Sequence, residues 1–135
     1  MFRNKTDPDI VLKIESIRKR MLSDRRLIAM TDYGAGSERN RSKTRKVSEI
    51  ARKSPVPSKY GILLSSLAAE FGGSHIIELG TSFGISTMYM AAGCPGAVIS
   101  TIEGSLAVSA VAEENFMLSG FSNIRVFTGT FICNE

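Results

Sequence analysis

Apolar positions follow two different periods along this chain, and the change falls near residue 75. Before it, Ile10, Ile14, Ile17, Met21 and Ile28 recur at helical spacing, with Lys13, Arg18, Lys19 and Arg20 mostly elsewhere on the wheel. Thr6-Asp-Pro-Asp9 supplies the start: Thr6 or Asp7 can cap, Pro8 fits the first turn, and Asp9 faces the positive helix end. The pattern predicts an amphipathic helix to about Ala29, packed on a core or on a dimer partner. Residues 31–46, with Gly34, Gly36 and five cations, read as a loop. Val47 to Lys53 reads as a short helix stopped before Pro55, and Ser54-Pro-Val-Pro57 as a turn or extended piece. Ser58 can cap a second amphipathic helix carrying Ile62, Leu63, Leu64, Leu67, Ala68 and Phe71, which ends at Gly72-Gly73.

From His75 the pattern alternates between strand and helix. Strands are predicted at 75–79, 97–103 and 123–128, and helices at about 84–92 and 105–119. On the second helix, Leu106, Val108, Ala110, Val111, Phe116 and Leu118 are the positions spaced to pack on a sheet. This alternation predicts an α/β fold with a parallel sheet and right-handed crossovers. Strand 75–79 is expected to be central, and three strands are about half of a doubly wound sheet. The chain therefore reads as a basic helical segment, residues 1–60, followed by residues 61–135 as the first part of a larger, C-terminally truncated domain.

Charge sharpens that division. Sixteen of the 17 Lys and Arg residues lie in positions 1–60. Such asymmetry fits either a basic arm that meets an anionic partner or a solvated helical segment on an α/β core. No apolar run reaches the roughly 18–20 residues of a membrane span, and Met1 to Pro8 has no signal-like apolar region. Cys94 and Cys133 form no Cys-x-x-Cys pair, and His75 is the single histidine, so these residues make no metal site. They read as reduced thiols of a cytoplasmic protein. His75 starts a strand, away from the ligand-facing ends, and reads as a surface residue.

Candidate chemistry sits in Glu78-Leu-Gly-Thr-Ser-Phe-Gly84 and in Glu103, which closes the next strand. Gly80 and Gly84 let a ligand approach the backbone. The turn lacks the Gly-x-Gly-x-x-Gly fingerprint because Ser82 holds its middle position, and no Lys-Ser or Lys-Thr pair follows. NAD binding through that fingerprint is disfavoured. Glu78 suits a cationic ligand group, such as an α-amino group or a sulfonium, better than a pyrophosphate. Glu103 offers two acceptor oxygens, which match a vicinal diol. The same residues also fit a tight strand-to-helix connection and a helix-entry carboxylate before Ser105.

The run Glu-Leu-Gly-Thr-Ser-Phe-Gly-Ile-Ser-Thr at 78–87, with Glu103 ending the next strand, resembles the first two motifs of S-adenosylmethionine-dependent methyltransferases. Its Gly-Thr-Ser-x-Gly form is similar to that of small-molecule O-methyltransferases of the catechol and caffeoyl-CoA type. Asp32-Tyr-Gly-Ala-Gly-Ser37, Arg45-Lys-Val-Ser-Glu-Ile-Ala51 and Lys59-Tyr-Gly-Ile-Leu-Leu64 look like a bacterial branch of that group. The resemblance implies the first three strands of a seven-stranded Rossmann-like sheet, preceded by N-terminal helices. It implies S-adenosylmethionine as cofactor, held by Glu78, Gly80, Thr81, Ser82, Gly84, Ser86, Glu103, Gly129 and Thr130. Glu78 would lie toward the methionine end, Glu103 at the ribose, and Gly129-Thr130 at the adenine.

A small hydroxylated methyl acceptor is implied, with metal dependence and any catalytic base unassigned. Other readings are an RNA or protein methyltransferase using the basic 39–46 stretch, a basic nucleic-acid-binding module, or an inactive fragment. Nucleic acid is disfavoured because Tyr33 is the one aromatic near that stretch. No membrane partner is expected, and the N-terminal helix could support a homodimer. Tyr33 and loop 31–46 are either a lid hinged at Gly34 and Gly36 or a plain loop.

Overall fold

Right-handed crossovers between three consecutive parallel strands place both connecting helices on one side of the sheet, and this governs the architecture. The computed structural model describes residues 6–30 and 43–129. Helix α1 (Pro8–Leu22) leads to an antiparallel pair, β1 (Leu27–Met30) and β2 (Lys43–Lys46). Helices α2 (Val47–Lys53) and α3 (Ser58–Phe71) follow. Then come β3 (His75–Leu79), α4 (Ile85–Gly93), β4 (Val98–Glu103), α5 (Leu106–Ser119) and β5 (Ile124–Thr128). The parallel sheet of the described residues has the order β3-β4-β5, with β3 (strand 75–79) at one edge, open to further strands.

The register puts Ile76 and Glu78 beside Ile99 and Thr101, and these beside Ile124 and Val126. That face meets the helices: Ile99 and Thr101 are fully buried, and Ala91 of α4 packs with Ile99, Ile76 and Ile124. The opposite face is bare among the described residues. Ile77, Leu79 and Phe127 are 70%, 68% and 52% exposed.

One core crosses residue 60. Ile14, Ile17 and Met21 of α1 pack with Val47 and Ile50 of α2 and with Phe83, Met88, Tyr89, Val111 and Phe116. Each such buried side chain contributes about 1.5–3 kcal/mol. Asp7 caps α1, its Oδ1 accepting from the Asp9 N–H. The Tyr89 hydroxyl donates to Glu15 Oε1 at 2.7 Å, and burial together with this acceptor raises its pKa.

Three expectations are corrected. The first helix ends at Leu22, not near Ala29, although Ile28 is in phase with Met21. Asp24 breaks it: its Oδ1 accepts the Arg26 backbone N–H, and the backbone N–H of Ser48 bonds the Asp24 carbonyl. Leu27–Met30 then extends as a strand. Second, residues 43–46 of the expected loop are its partner strand, with Leu27 opposite Lys46 and Met30 opposite Lys43. The rest of the expected loop, with Tyr33, Gly34 and Gly36, lies outside the described residues.

Third, the packing faces of two helices differ from those expected. Helix α3 buries Gly61, Ser65, Ser66 and Ala68, while Leu63 and Phe71 are exposed. Its N-cap is Pro57 rather than Ser58. The cause is the close approach of α4. A Cβ at Gly61 would lie 2.4 Å from the Tyr89 ring, and one at Gly93 would lie 2.0 Å from the Ser65 carbonyl oxygen. Only small residues tolerate that spacing. On α5, Val108, Val111 and Phe116 are buried, but Leu106, Ala110 and Leu118 are exposed, because nothing described covers their side.

Two predictions follow from this packing. Gly93→Ala sets a helix-propensity gain of up to about 1 kcal/mol against a backbone clash that no rotamer relieves. The clash wins, and chemical denaturation is expected to show a net loss of about 1–3 kcal/mol. Gly96→Ala, with nothing within 4 Å of the new Cβ, is the neutral control. The second concerns Arg26, which bonds Asp24 at 2.7 Å and Glu114 at 2.9 Å. Those hydrogen bonds hold both carboxyls below their usual range. A depressed carboxyl pKa stabilises the fold above the unfolded value, about 4, and the gain disappears as pH falls through the folded one. Arg26→Ala is thus expected to cost under about 1 kcal/mol at pH 7, since the pair is exposed. The difference from wild type should vanish in acid and shrink in high salt.

Candidate functional site

Parallel strands direct their carboxyl ends to one edge of the sheet, and that edge gathers the candidate residues. Glu78 lies near the end of β3, the turn 80–84 follows it, Glu103 ends β4, and Gly129 follows β5. The Gly80 and Thr81 N–H groups both donate to the Ile102 carbonyl, at 2.9 and 3.1 Å, which folds the turn over β4. The Gly129 N–H donates to the Glu103 carbonyl at 2.9 Å. Thr130 lies outside the described residues.

The two glycines of the turn serve different ends. Gly80 has φ +89° with open space where a Cβ would stand, so its bare backbone faces outward. Gly84 has φ +81°, and a Cβ there would strike the Phe116 ring at 2.3 Å. Gly80 leaves room for a ligand, whereas Gly84 leaves room for the core. Between them Ser82 adopts φ +50°, a left-handed conformation that costs a non-glycine residue of the order of 1 kcal/mol. Two contacts hold it: its N–H donates to Glu103 Oε2 at 2.8 Å, and its hydroxyl lies 2.6 Å from that of Ser54.

Glu103 also accepts the Ser105 N–H on Oε1, at 3.0 Å. It therefore ties the turn to the start of α5 with one bond on each oxygen. A carboxylate oxygen has about two acceptor sites, so each keeps one for a ligand hydroxyl.

Glu78 is held by three hydroxyls. Ser86 donates to Oε1 at 2.6 Å, and Thr87 and Thr101 donate to Oε2 at 2.5 and 2.7 Å. Because Thr101 spends its proton on Glu78, the contact of 2.6 Å between the Thr81 and Thr101 hydroxyls has Thr81 as donor. Thr81 is buried, with its hydroxyl committed to this chain. Ser86 opens α4 and faces Glu78. About one acceptor site on Glu78 Oε1 remains.

A cavity of about 220 Å³ lies at the turn, lined by Ser54, Pro55 and Val56 on one side and by Gly80 to Phe83, Ile85 and Ser86 on the other. The α2–α3 connection thus forms a wall that sequence reasoning missed, as it missed the roles of Thr87 and Thr101. The Pro55–Pro57 spacing was the available signal, since it fixes an extended rigid segment. His75 is exposed and bonds Ser100 Oγ, far along the strand from this edge. Among the described residues no group of three His, Cys, Asp or Glu side chains is placed to hold a metal ion. No described helix is long and apolar enough to cross a membrane.

No protein-family profile and no curated protein matches the chain. Solved structures do. An S-adenosylhomocysteine-bound methyltransferase of Podospora anserina superposes with TM-score 0.62 at 19% identity, over 95% of this chain and 44% of its own. An O-methyltransferase of Bacillus cereus, in complex with S-adenosylhomocysteine, gives 0.61 at 18%, over 93% and 46%. An O-methyltransferase of Streptomyces achromogenes involved in tomaymycin synthesis, in complex with S-adenosylmethionine, gives 0.53 at 26%, over 56% and 35%. The chain spans less than half the length of each of these structures. Over that span, its three-stranded parallel sheet and preceding helices have the Rossmann-like fold of the methyltransferases.

Proposed function

We propose that this chain is part of an S-adenosylmethionine-dependent methyltransferase that methylates a hydroxyl of a small molecule. The observation that carries the reading is the placement of Glu78 and Glu103 at the ends of adjacent parallel strands, on either side of a turn whose Gly80 backbone stands open. The likeness in fold to methyltransferases bound to S-adenosylmethionine or S-adenosylhomocysteine supports it.

The residues suit that cofactor. Glu103 has one free acceptor site on each oxygen for the two ribose hydroxyls. The remaining site on Glu78 Oε1 suits the ammonium group, directly or through water. Gly80, Ser82, Gly84 and Ser86 form or border the turn, Thr81 braces it from beneath, and Gly129 and Thr130 are assigned to the adenine side. The cofactor supplies an electrophilic methyl group on a sulfonium. The chain's own part is positioning: a rigid turn and two fixed carboxylates set the direction from which an acceptor oxygen must approach. We read residues 61–135 as part of a larger sheet, since a parallel sheet normally has both faces covered and one is bare among the described residues.

Calorimetric titration with S-adenosylhomocysteine tests this. Saturable binding is expected, weakened at least about tenfold in Glu103→Ala by loss of charged hydrogen bonds. NAD should give no heat. Undiminished binding by Glu103→Ala, or binding of NAD, would remove the basis of the assignment. Thr101→Val separates structure from recognition. It strips Glu78 of one donor and leaves Thr81 without its acceptor, and is expected to cost about 1–3 kcal/mol in denaturation. Its effect on affinity should be smaller than that of Glu103→Ala.

A further inference from the structure

A second cavity, of about 530 Å³, lies between β1–β2 and α2, lined by Met30, Arg45, Glu49, Ile50, Arg52, Lys53 and Ser54. Its size falls in the range of small-molecule sites. Buried Ile50 and half-buried Met30 give it an apolar side. Three cations face one carboxylate around it, and none of the four forms an ion pair within the described residues. The three cations are exposed, so their mutual repulsion is screened by water, yet their summed positive potential over one cavity favours an anion there. Other described cations, such as Lys13, Arg20 and Arg125, also stand outside the ion pairs, so what sets these three apart is the apolar-walled cavity they share.

The cavity adjoins the glycine turn. Ser54 lines both cavities and its hydroxyl contacts that of Ser82 at 2.6 Å. We propose that this cavity binds a small organic anion, a carboxylate or phosphate on a compact apolar body, with Arg45, Arg52 and Lys53 taking the charge and Met30 and Ile50 the body. Arg52 and Arg45 offer planar forks that match either anion in two-point contact. Taken with the methyl-transfer reading, on which this last step rests, the anion is the methyl acceptor. Its reactive hydroxyl then lies toward Ser54 and the turn.

The test follows backbone amide NMR signals of the whole chain during titration with phenyl phosphate, benzoate and neutral benzyl alcohol. Both anions are expected to shift Met30, Ile50 and Ser54 saturably, and benzyl alcohol much less. Arg52→Ala and Lys53→Ala, both at exposed positions, should keep the circular dichroism of the parent and weaken phenyl phosphate about tenfold for a lost charged contact. Glu49→Gln, which removes the opposing charge, should tighten it about two- to fivefold, as for an exposed charge pair. Equal binding of benzyl alcohol, absence of saturable shifts, or indifference to all three substitutions would overturn the proposal. S-adenosylhomocysteine, titrated into the same sample, should shift Gly80 to Ser86. If it does not while the anions bind, the anion site stands and the methyl-transfer reading falls.

Discussion

A carboxylate on the helix-facing side of a parallel sheet must be satisfied, and Glu78 is that carboxylate. Its neighbours on the same face are Ile76 and the buried Ile99 and Thr101. Glu78 is partly buried, so without donors it would bear part of the desolvation cost of a charge taken out of water. Ser86, Thr87 and Thr101 provide them from two elements, and Thr81 supports Thr101 in turn. This network fixes the first turn of α4 relative to β3 and β4. The glycine turn between them has its two ends set by the same charge, so the carboxylate orders the edge of the sheet where the site is assembled.

Glu103 complements it from the next strand. It takes its donors from backbone rather than side chains, holding the N–H groups of Ser82 and Ser105. The strained Ser82 is thereby clamped by β4 on one side and by Ser54 on the other. Through Ser54 the clamp extends to α2, whose outer residues line the cationic cavity. The hairpin, the turn and the sheet edge form one connected structure.

Much of this was legible in the sequence. Strands 75–79, 97–103 and 123–128 show short β-rich apolar runs between glycine and proline breaks, and helices 85–93 and 106–119 fall where the spacing predicts. Glu78 and Glu103 stood out because a carboxylate at the end of an apolar run has no packing purpose. The β1–β2 pair was hidden because Ile28 keeps helical phase with Met21. What ends the helix is a side chain–backbone bond at Asp24, and its partner strand, Lys43-Thr-Arg-Lys46, carries no apolar residue at all. The buried face of α3 was hidden for another reason. Hydrophobicity ranks Leu63 and Phe71 above Gly61 and Ser65, whereas helix–helix distance ranks them the other way. In the linear order Arg45 belongs to the basic loop and Arg52 and Lys53 to a short helix, and nothing there shows that they line one cavity with Ile50.

The bare side of the β3-β4-β5 sheet sets a practical limit that folding stability does not. Ile77, Leu79 and Phe127 present an apolar strip, and among the described residues no further strand flanks β3 or β5. An uncovered strip of this kind favours self-association as concentration rises, while leaving the core on the other face of the sheet untouched. Solubility, rather than melting temperature, is the quantity that covering this strip would change most.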